Sequence, residues 1–253
     1  MIIFLMAKTT IVPDYPALLI DGAEKSLVVT DLHLGFEGNL SQNNIFLGKN
    51  TTVTESVKEI EKILEKTKSD SLILLGDVKS GIKLITKTEW KVIPVFFEGL
   101  KKRIDITIVP GNHDANIEKL VPEGIRFTSS KGLIIEDALL THGHTMPSEN
   151  FSQINKIIMG HVHPVFFQEG SVVNGKRVWV SIKCKKQNIF PSKTGELEII
   201  IIPSFNRYFY STHKKSYKKS ISPILDNLQV LEAKIVTLDG TIIGNESLLS
   251  NII

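Results

Sequence analysis

The stretch Ile104-Asp-Ile-Thr-Ile-Val109-Pro-Gly-Asn-His-Asp114 sets the reading of the chain. A β-branched apolar run stopped by Pro110-Gly111 is the pattern of a short buried strand ending in a tight turn. An amide, an imidazole and a carboxylate then stand side by side. Four other segments repeat the arrangement after apolar runs: Asp31-Leu-His33, Gly76-Asp77, His142-Gly-His144 and Gly160-His161-Val-His163. Six of the seven histidines lie in these five segments. Groups at the carboxyl ends of sheet strands converge on one crevice, and the neighbouring glycines allow tight turns there. Two Asp, one Asn and several imidazoles, with no thiolate, suit Mn²⁺, Fe or Zn²⁺ rather than Ca²⁺ or an iron–sulfur cluster. Seven ligands exceed one tetrahedral ion and suit two divalent metals sharing a carboxylate.

Working outward, apolar runs alternate with helical patterns over the first 160 residues, and strands dominate afterwards. Pro16–Ile20 and Ser26–Thr30 read as strands joined at Asp21-Gly22, followed later by Ser71–Leu75, Ile104–Val109, Leu133–Ile135, Ala138–Leu140 and Lys156–Met159. Thr52-x-x-Glu55 and Thr86-x-x-Glu89 read as capping boxes opening two helices. The first covers about 52–67 with Val53, Val57, Ile60 and Leu64 on one face; the second meets Pro94, which predicts a kink or restart. Val172-Val173-Asn174-Gly175-Lys176-Arg177-Val178 reads as a hairpin. Val178, Val180, Ile182 and Cys184 then alternate with Arg177, Trp179, Ser181, Lys183 and Lys185 as on a half-buried strand, before further strands at Glu196–Ile202, Ala233–Leu238 and Thr241–Ile243. No repeat or low-complexity linker interrupts residues 1–253, so the expectation is a single α/β domain of two packed sheets with outer helices.

Composition agrees with a globular chain. It has 253 residues, 42% of them hydrophobic, which excludes disorder. The single cysteine, Cys184, forbids an internal disulfide and points to the cytoplasm. No apolar run reaches the roughly 18–20 residues of a membrane span. Met1–Met6 is too short for a signal core and reads as a ragged start or a first strand.

The five segments, in this order, resemble the calcineurin-like metallophosphoesterases. The resemblance implies a four-layer α/β/β/α sandwich, with two mixed sheets flanked by helices. It also implies a first metal held by Asp31, His33, Asp77 and His163, and a second by Asp77, Asn112, His142 and His161, with Asp77 bridging. His142 and His144 compete for one ligand position, and the pattern favours His142. His113 matches a histidine that contacts substrate phosphate and assists the leaving group instead of binding metal. Asp114 is a candidate to orient a neighbouring group, or else a helix N-cap. Lys79 reads either as a phosphate contact or as a solvated loop lysine. Asp31-Leu-His-Leu-Gly35-Phe-Glu37, Gly160-His-Val-His-Pro164 and Ile202-Pro-Ser-Phe-Asn206 narrow the likeness to SbcD-related archaeal-type phosphoesterases. The absence of Asp-Arg-Gly after Gly76-Asp77 separates the chain from protein Ser/Thr phosphatases.

Two cations about 3.5–4 Å apart would acidify a bridging water for in-line attack at phosphorus. Charge distribution suggests the substrate. Net charge is only +3, yet residues 170–225 carry eleven Lys/Arg against two Glu. Residues 199–225 contain no acid and five aromatic side chains. That combination suits unpaired nucleic acid, with Lys214, Lys215, Lys218 and Lys219 as candidate contacts, or else forms a solvated loop. His213, in the same polar stretch, is not read as a ligand. The expectation is therefore a nuclease or phosphodiesterase acting on DNA or RNA. A phosphatase or cyclic-nucleotide phosphodiesterase for small substrates uses the same motifs, and a non-catalytic scaffold is a third reading. A homodimer and DNA-repair partners are further expectations; membrane association is not one.

Overall fold

The computed structural model describes residues 6–38, 51–208, 221–226 and 228–252. The first half builds a six-stranded sheet in the order β1 (Lys8–Ile11), β2 (Leu18–Asp21), β3 (Lys25–Val29), β4 (Ser71–Leu75), β5 (Asp105–Val109), β6 (Arg126–Phe127). Pairing is antiparallel from β1 to β3 and parallel from β3 to β6. The second sheet runs β14 (Ile242–Asn245), β13 (Val230–Thr237), β11 (Lys176–Lys185), β12 (Glu196–Ile201), β9 (Lys156–Met159), β8 (Ala138–Thr141), β7 (Leu133–Ile135), with β10 (Val165–Phe166) paired to β11. Its β8, β9 and β12 are parallel and the rest antiparallel. Both sheets are mixed, as expected.

The period of two along each strand decides the layers. In β4, Leu72 and Leu74 face the helices, whereas Ile73 and Leu75 face the other sheet. In β9, Ile158 joins that inter-sheet core, together with Leu140, Trp179 and Ile200, while Ile157 and Met159 point outward. Among the described residues, the first sheet is covered by α1 (Thr51–Thr67), burying Val53, Ile60 and Ile63, and α2 (Lys87–Leu100), burying Val92, Ile93, Phe96, Phe97 and Leu100. Among the described residues, the outer face of the second sheet is covered by 3-10 turns, including Lys186–Asn188 and Pro223–Leu225, which bring Ile189, Phe190 and Ile224 onto it. Cys184 packs in that core. No helix among the described residues is long and apolar enough to cross a membrane.

Three local expectations change. The Thr86–Glu89 capping box forms in full, but Thr52 does not pair with Glu55; its N–H and hydroxyl both go to Glu37 Oε1. A carboxylate from the preceding segment outcompetes the local partner. α2 runs unbroken through Pro94, because the carbonyl left without a donor belongs to Trp90 on the exposed face. The strand antiparallel to the start of β11 is Val165–Phe166 rather than Val172-Val173; Val172 is 95% exposed in a longer turn.

Candidate metal centre

All five polar segments emerge at the carboxyl ends of parallel strands, from β3, β4 and β5 in one sheet and β8 and β9 in the other. Beyond the strand ends the backbones keep pairing: Asp31 N–H donates to Gly76 O and His33 N–H to Asp77 O. The chain then turns sharply. Asp31 (φ 58°), His33 (43°), Asp77 (51°), His161 (69°) and His163 (49°) are all left-handed, five of the nine such non-glycine residues described. Each such conformation costs about 1–3 kcal/mol and persists where surrounding structure enforces it, commonly at functional sites. Here it turns each side chain from its strand into the crevice between the sheets.

The two carboxylates share one design. Asp31 Oδ2 accepts the Thr30 hydroxyl at 2.9 Å and the His161 N–H at 3.1 Å. Its Oδ1 faces imidazoles, 2.9 Å from His163 Nε2 and 3.9 Å from His33 Nε2 and from His142 Nε2. Asp77 Oδ1 accepts the His113 N–H at 2.8 Å, while Oδ2 lies 3.1 Å from His142 Nε2 and 3.9 Å from His33 Nε2. One oxygen of each carboxylate is thus anchored and the other is presented.

Among the described residues, three groupings have ligating atoms within 4.8 Å of one another: Asp31, His33 and His163; Asp77, His142 and His161; and His33, Asp77 and His113. Asp77 and His33 lie where the groupings meet. The Asn112 side-chain oxygen is buried with no hydrogen-bond partner, and an acceptor in that position suits a cation. Oxygen and imidazole donors around two buried carboxylates fit divalent metal ions.

Protonation states favour the same use. Burial opposes ionisation of Asp31, but the charge and hydrogen bond of His163, with His142 behind it, hold its carboxyl at about 2. Asp77 is also held low, by His142, His33 and His113 against the effect of burial. Burial and crowding by other imidazoles push His33 down to about 3 and His161 to about 4. Ionised carboxylates and neutral imidazoles are the ligating forms. His142 differs: burial disfavours its cation, yet the hydrogen bond and charge of Asp77 and the charge of Asp31 raise it to about 9.

Asp114 joins the loops. Its carboxylate accepts the N–H groups of Val78 at 2.9 Å, Lys79 at 3.2 Å and Gly111 at 2.8 Å; the N-cap position of the following 3-10 turn is held by Asn116, not Asp114, and carries no side-chain cap bond. Burial and the Asp77 charge raise Asp114 to about 6. Lys79 is not a solvated loop lysine: it is completely buried, and its ammonium donates to Gly81 O. His144 stands behind His142, ring centroids 5.5 Å apart, outside the three groupings. The Pro-Ser-Phe-Asn segment braces the Asp31 turn: Ser204 Oγ donates to Asp31 O at 3.0 Å and Asn206 Nδ2 to Leu32 O at 2.9 Å. Two supporting groups escaped the sequence reading, the Thr30 hydroxyl and the Ser80 carbonyl, because neither position carries a signal beyond strand end or loop. His213, Lys214, Lys215, Lys218 and Lys219 lie outside the described residues.

Residues 25–189 match the sequence pattern of the calcineurin-like phosphoesterases. The chain belongs to that family. As a calcineurin-like phosphoesterase it is a metal-dependent hydrolase. In fold it is similar to the nuclease MPE of Pseudomonas putida, at 15% identity and a TM-score of 0.52, covering 92% of this chain and 98% of that one. A phosphoesterase of E. coli aligns at 16% identity and a TM-score of 0.40, covering 88% and 98% of the two chains. No curated protein matches the chain by sequence.

Proposed function

We propose that this phosphoesterase hydrolyses phosphodiester bonds of DNA or RNA, using two divalent cations of which Mn²⁺ is the first choice. Asp31, His33, Asp77 and His163 would hold one, and Asp77, Asn112, His142 and His161 the other. The observation that carries the reading is the place of Asp77. One of its oxygens is anchored by the His113 N–H, and the other faces both His142 and His33. Bound there, divalent cations would polarise the phosphoryl oxygens and make water a stronger nucleophile.

The chain's own residues supply the rest. His142 Nδ1 lies 3.0 Å from Leu75 O, so that nitrogen carries a hydrogen, and Nε2, turned to Asp77, is the nitrogen that would ligate on losing its proton. His113, partly exposed at the edge of the cluster, would contact substrate and protonate the leaving oxygen.

Nucleic acid is favoured over small esters by the acid-free, aromatic stretch 199–225. Two described residues within it are tied to the site: Asn206 to the backbone of Leu32, and Ser222 Oγ to Gly143 O at 2.5 Å. The similar fold of a nuclease supports the same reading. The test is a panel with Mn²⁺: a labelled single-stranded oligonucleotide, a cyclic nucleotide and a phosphate monoester. The reading expects the oligonucleotide to be cleaved best, with steep salt dependence that flattens when Lys214, Lys215, Lys218 and Lys219 are neutralised. Preference for the cyclic nucleotide or the monoester overturns it.

A further inference from the structure

His113 is oriented by a peptide group. Its Nδ1 lies 2.5 Å from the carbonyl oxygen of Ser80. A carbonyl only accepts, so Nδ1 carries the hydrogen. Nε2 is then the nitrogen turned toward the cluster, 3.8 Å from Asp77 Oδ2. The other end of that same planar peptide is the Gly81 N–H, which donates to Glu89 Oε1 at 2.5 Å. In a trans peptide the C=O and N–H point in opposite directions, and there are no cis bonds among the described residues. One peptide therefore stands between a carboxylate and an imidazole.

Both ends of this arrangement are held. Glu89 is completely buried at the start of α2, and its Oε2 accepts the Thr86 N–H at 2.7 Å. The capping box that starts the helix thus also aims the carboxylate at the loop. The buried Lys79 donates to the carbonyl of Gly81, fixing the next peptide in turn.

We propose that Glu89 is a positioning residue for His113, acting through the Ser80–Gly81 peptide. Hydrogen bonds in a chain polarise one another. A buried carboxylate on the N–H end makes the Ser80 carbonyl a stronger acceptor and holds the hydrogen on Nδ1. Nε2 is then the nitrogen presented to the leaving oxygen. As the P–O bond breaks with its electron pair on that oxygen, His113 in its doubly protonated form gives up the Nε2 proton, which water replaces; Nδ1 keeps its hydrogen and Glu89 exchanges none. The proposal deepens the reading of His113 as proton donor and rests on it.

The test compares two diesters with Mn²⁺: bis(4-nitrophenyl) phosphate, whose leaving group needs no proton, and a thymidine dinucleotide, whose alkoxide does. Glu89→Gln keeps the size but loses the charge and one acceptor. It is expected to slow the dinucleotide about 10–100-fold, the usual loss for a supporting partner, with little change for the nitrophenyl ester. In a His113→Ala background it should add nothing. Thr86→Ala weakens the same helix cap without touching the carboxylate and should leave the ratio of the two rates unchanged. Equal slowing of both diesters by Glu89→Gln, or the same loss in the His113→Ala background, overturns the proposal. Nitrogen-15 NMR of the Zn²⁺-loaded protein gives a readout independent of turnover. The expected result is a His113 Nδ1 proton that moves upfield in Glu89→Gln, whereas a hydrogen found on Nε2 alone refutes the relay. A wild-type protein that cleaves neither diester would sink the phosphodiesterase reading, and the tautomer would still decide the relay.

Discussion

Gly160→Ala tests how tightly the two sheets are pressed together at the site. Gly160 has an ordinary φ, so alanine carries no backbone penalty there and the whole cost is contact. A Cβ at this position would fall onto the Thr30 hydroxyl and stand 2.6 Å from Asp31 Oδ2. Three contacts meet at that point, two of them sharing the one Thr30 hydroxyl hydrogen: Thr30 Oγ1 lies 2.7 Å from Leu75 O and 2.9 Å from Asp31 Oδ2, and the His161 N–H donates to Asp31 Oδ2 at 3.1 Å. Losing a neutral bond costs about 1 kcal/mol and a bond to a charged group about 1.5–3 kcal/mol. Relief of overpacking by shifting the backbone costs about 1–3 kcal/mol. Some bonds will re-form after the shift, so the expected loss is about 3–5 kcal/mol. Urea unfolding of the metal-free protein measures it directly, and Thr30→Ala in the same chain should recover part of the loss by removing the atom in the way. A Gly160→Ala protein within about 0.5 kcal/mol of wild type, the scatter of an ordinary surface change, would refute the packing described here.

Asp77→Asn should lower the content of both metals by plasma mass spectrometry, whereas His163→Ala should spare the ion on the His142 side; equal effects would contradict a bridging position. His113→Ala should reduce turnover of an alkyl diester about 10²–10⁴-fold, the usual worth of a general acid, while metal content stays near wild type. Loss of metal would instead make His113 a ligand, which its grouping with His33 and Asp77 permits geometrically. Cys184 is buried, and burial pushes its thiol up to about 11. A disulfide reagent at pH 8 should therefore label it slowly in the native protein and fully in denaturant; fast native labelling would count against the core position.

Much of this molecule was legible in the chain itself. Apolar runs ending in glycine, aspartate or histidine marked β3, β4, β5, β8 and β9, because burial on both faces demands continuous apolar residues and polar groups survive only where the strand stops. The alternation from Val178 to Cys184 marked one buried face of β11 but missed that Trp179, on the other face, is buried between the sheets; the spacing of Val53, Val57, Ile60 and Leu64 marked the packed face of α1. The common location of the chemical groups followed from the rule that strand ends share a crevice. Non-local competition was not legible. Thr52 turned to Glu37 instead of Glu55, and Val165–Phe166 took the place next to β11 that a local hairpin was expected to fill.

The order of the five segments determined the donor set and the fold, since a strand's polarity and its terminal residues are written in one dimension. The folded chain alone decided which oxygen of Asp31 and Asp77 is anchored and which is presented, because the anchoring donors come from His161 and His113, 130 and 36 residues away. It also decided the left-handed turns at Asp31, His33, Asp77, His161 and His163, and it set Glu89 and His113 on opposite ends of one peptide. Such relations depend on angles and on contacts between distant segments, and those exist only once the two sheets have packed.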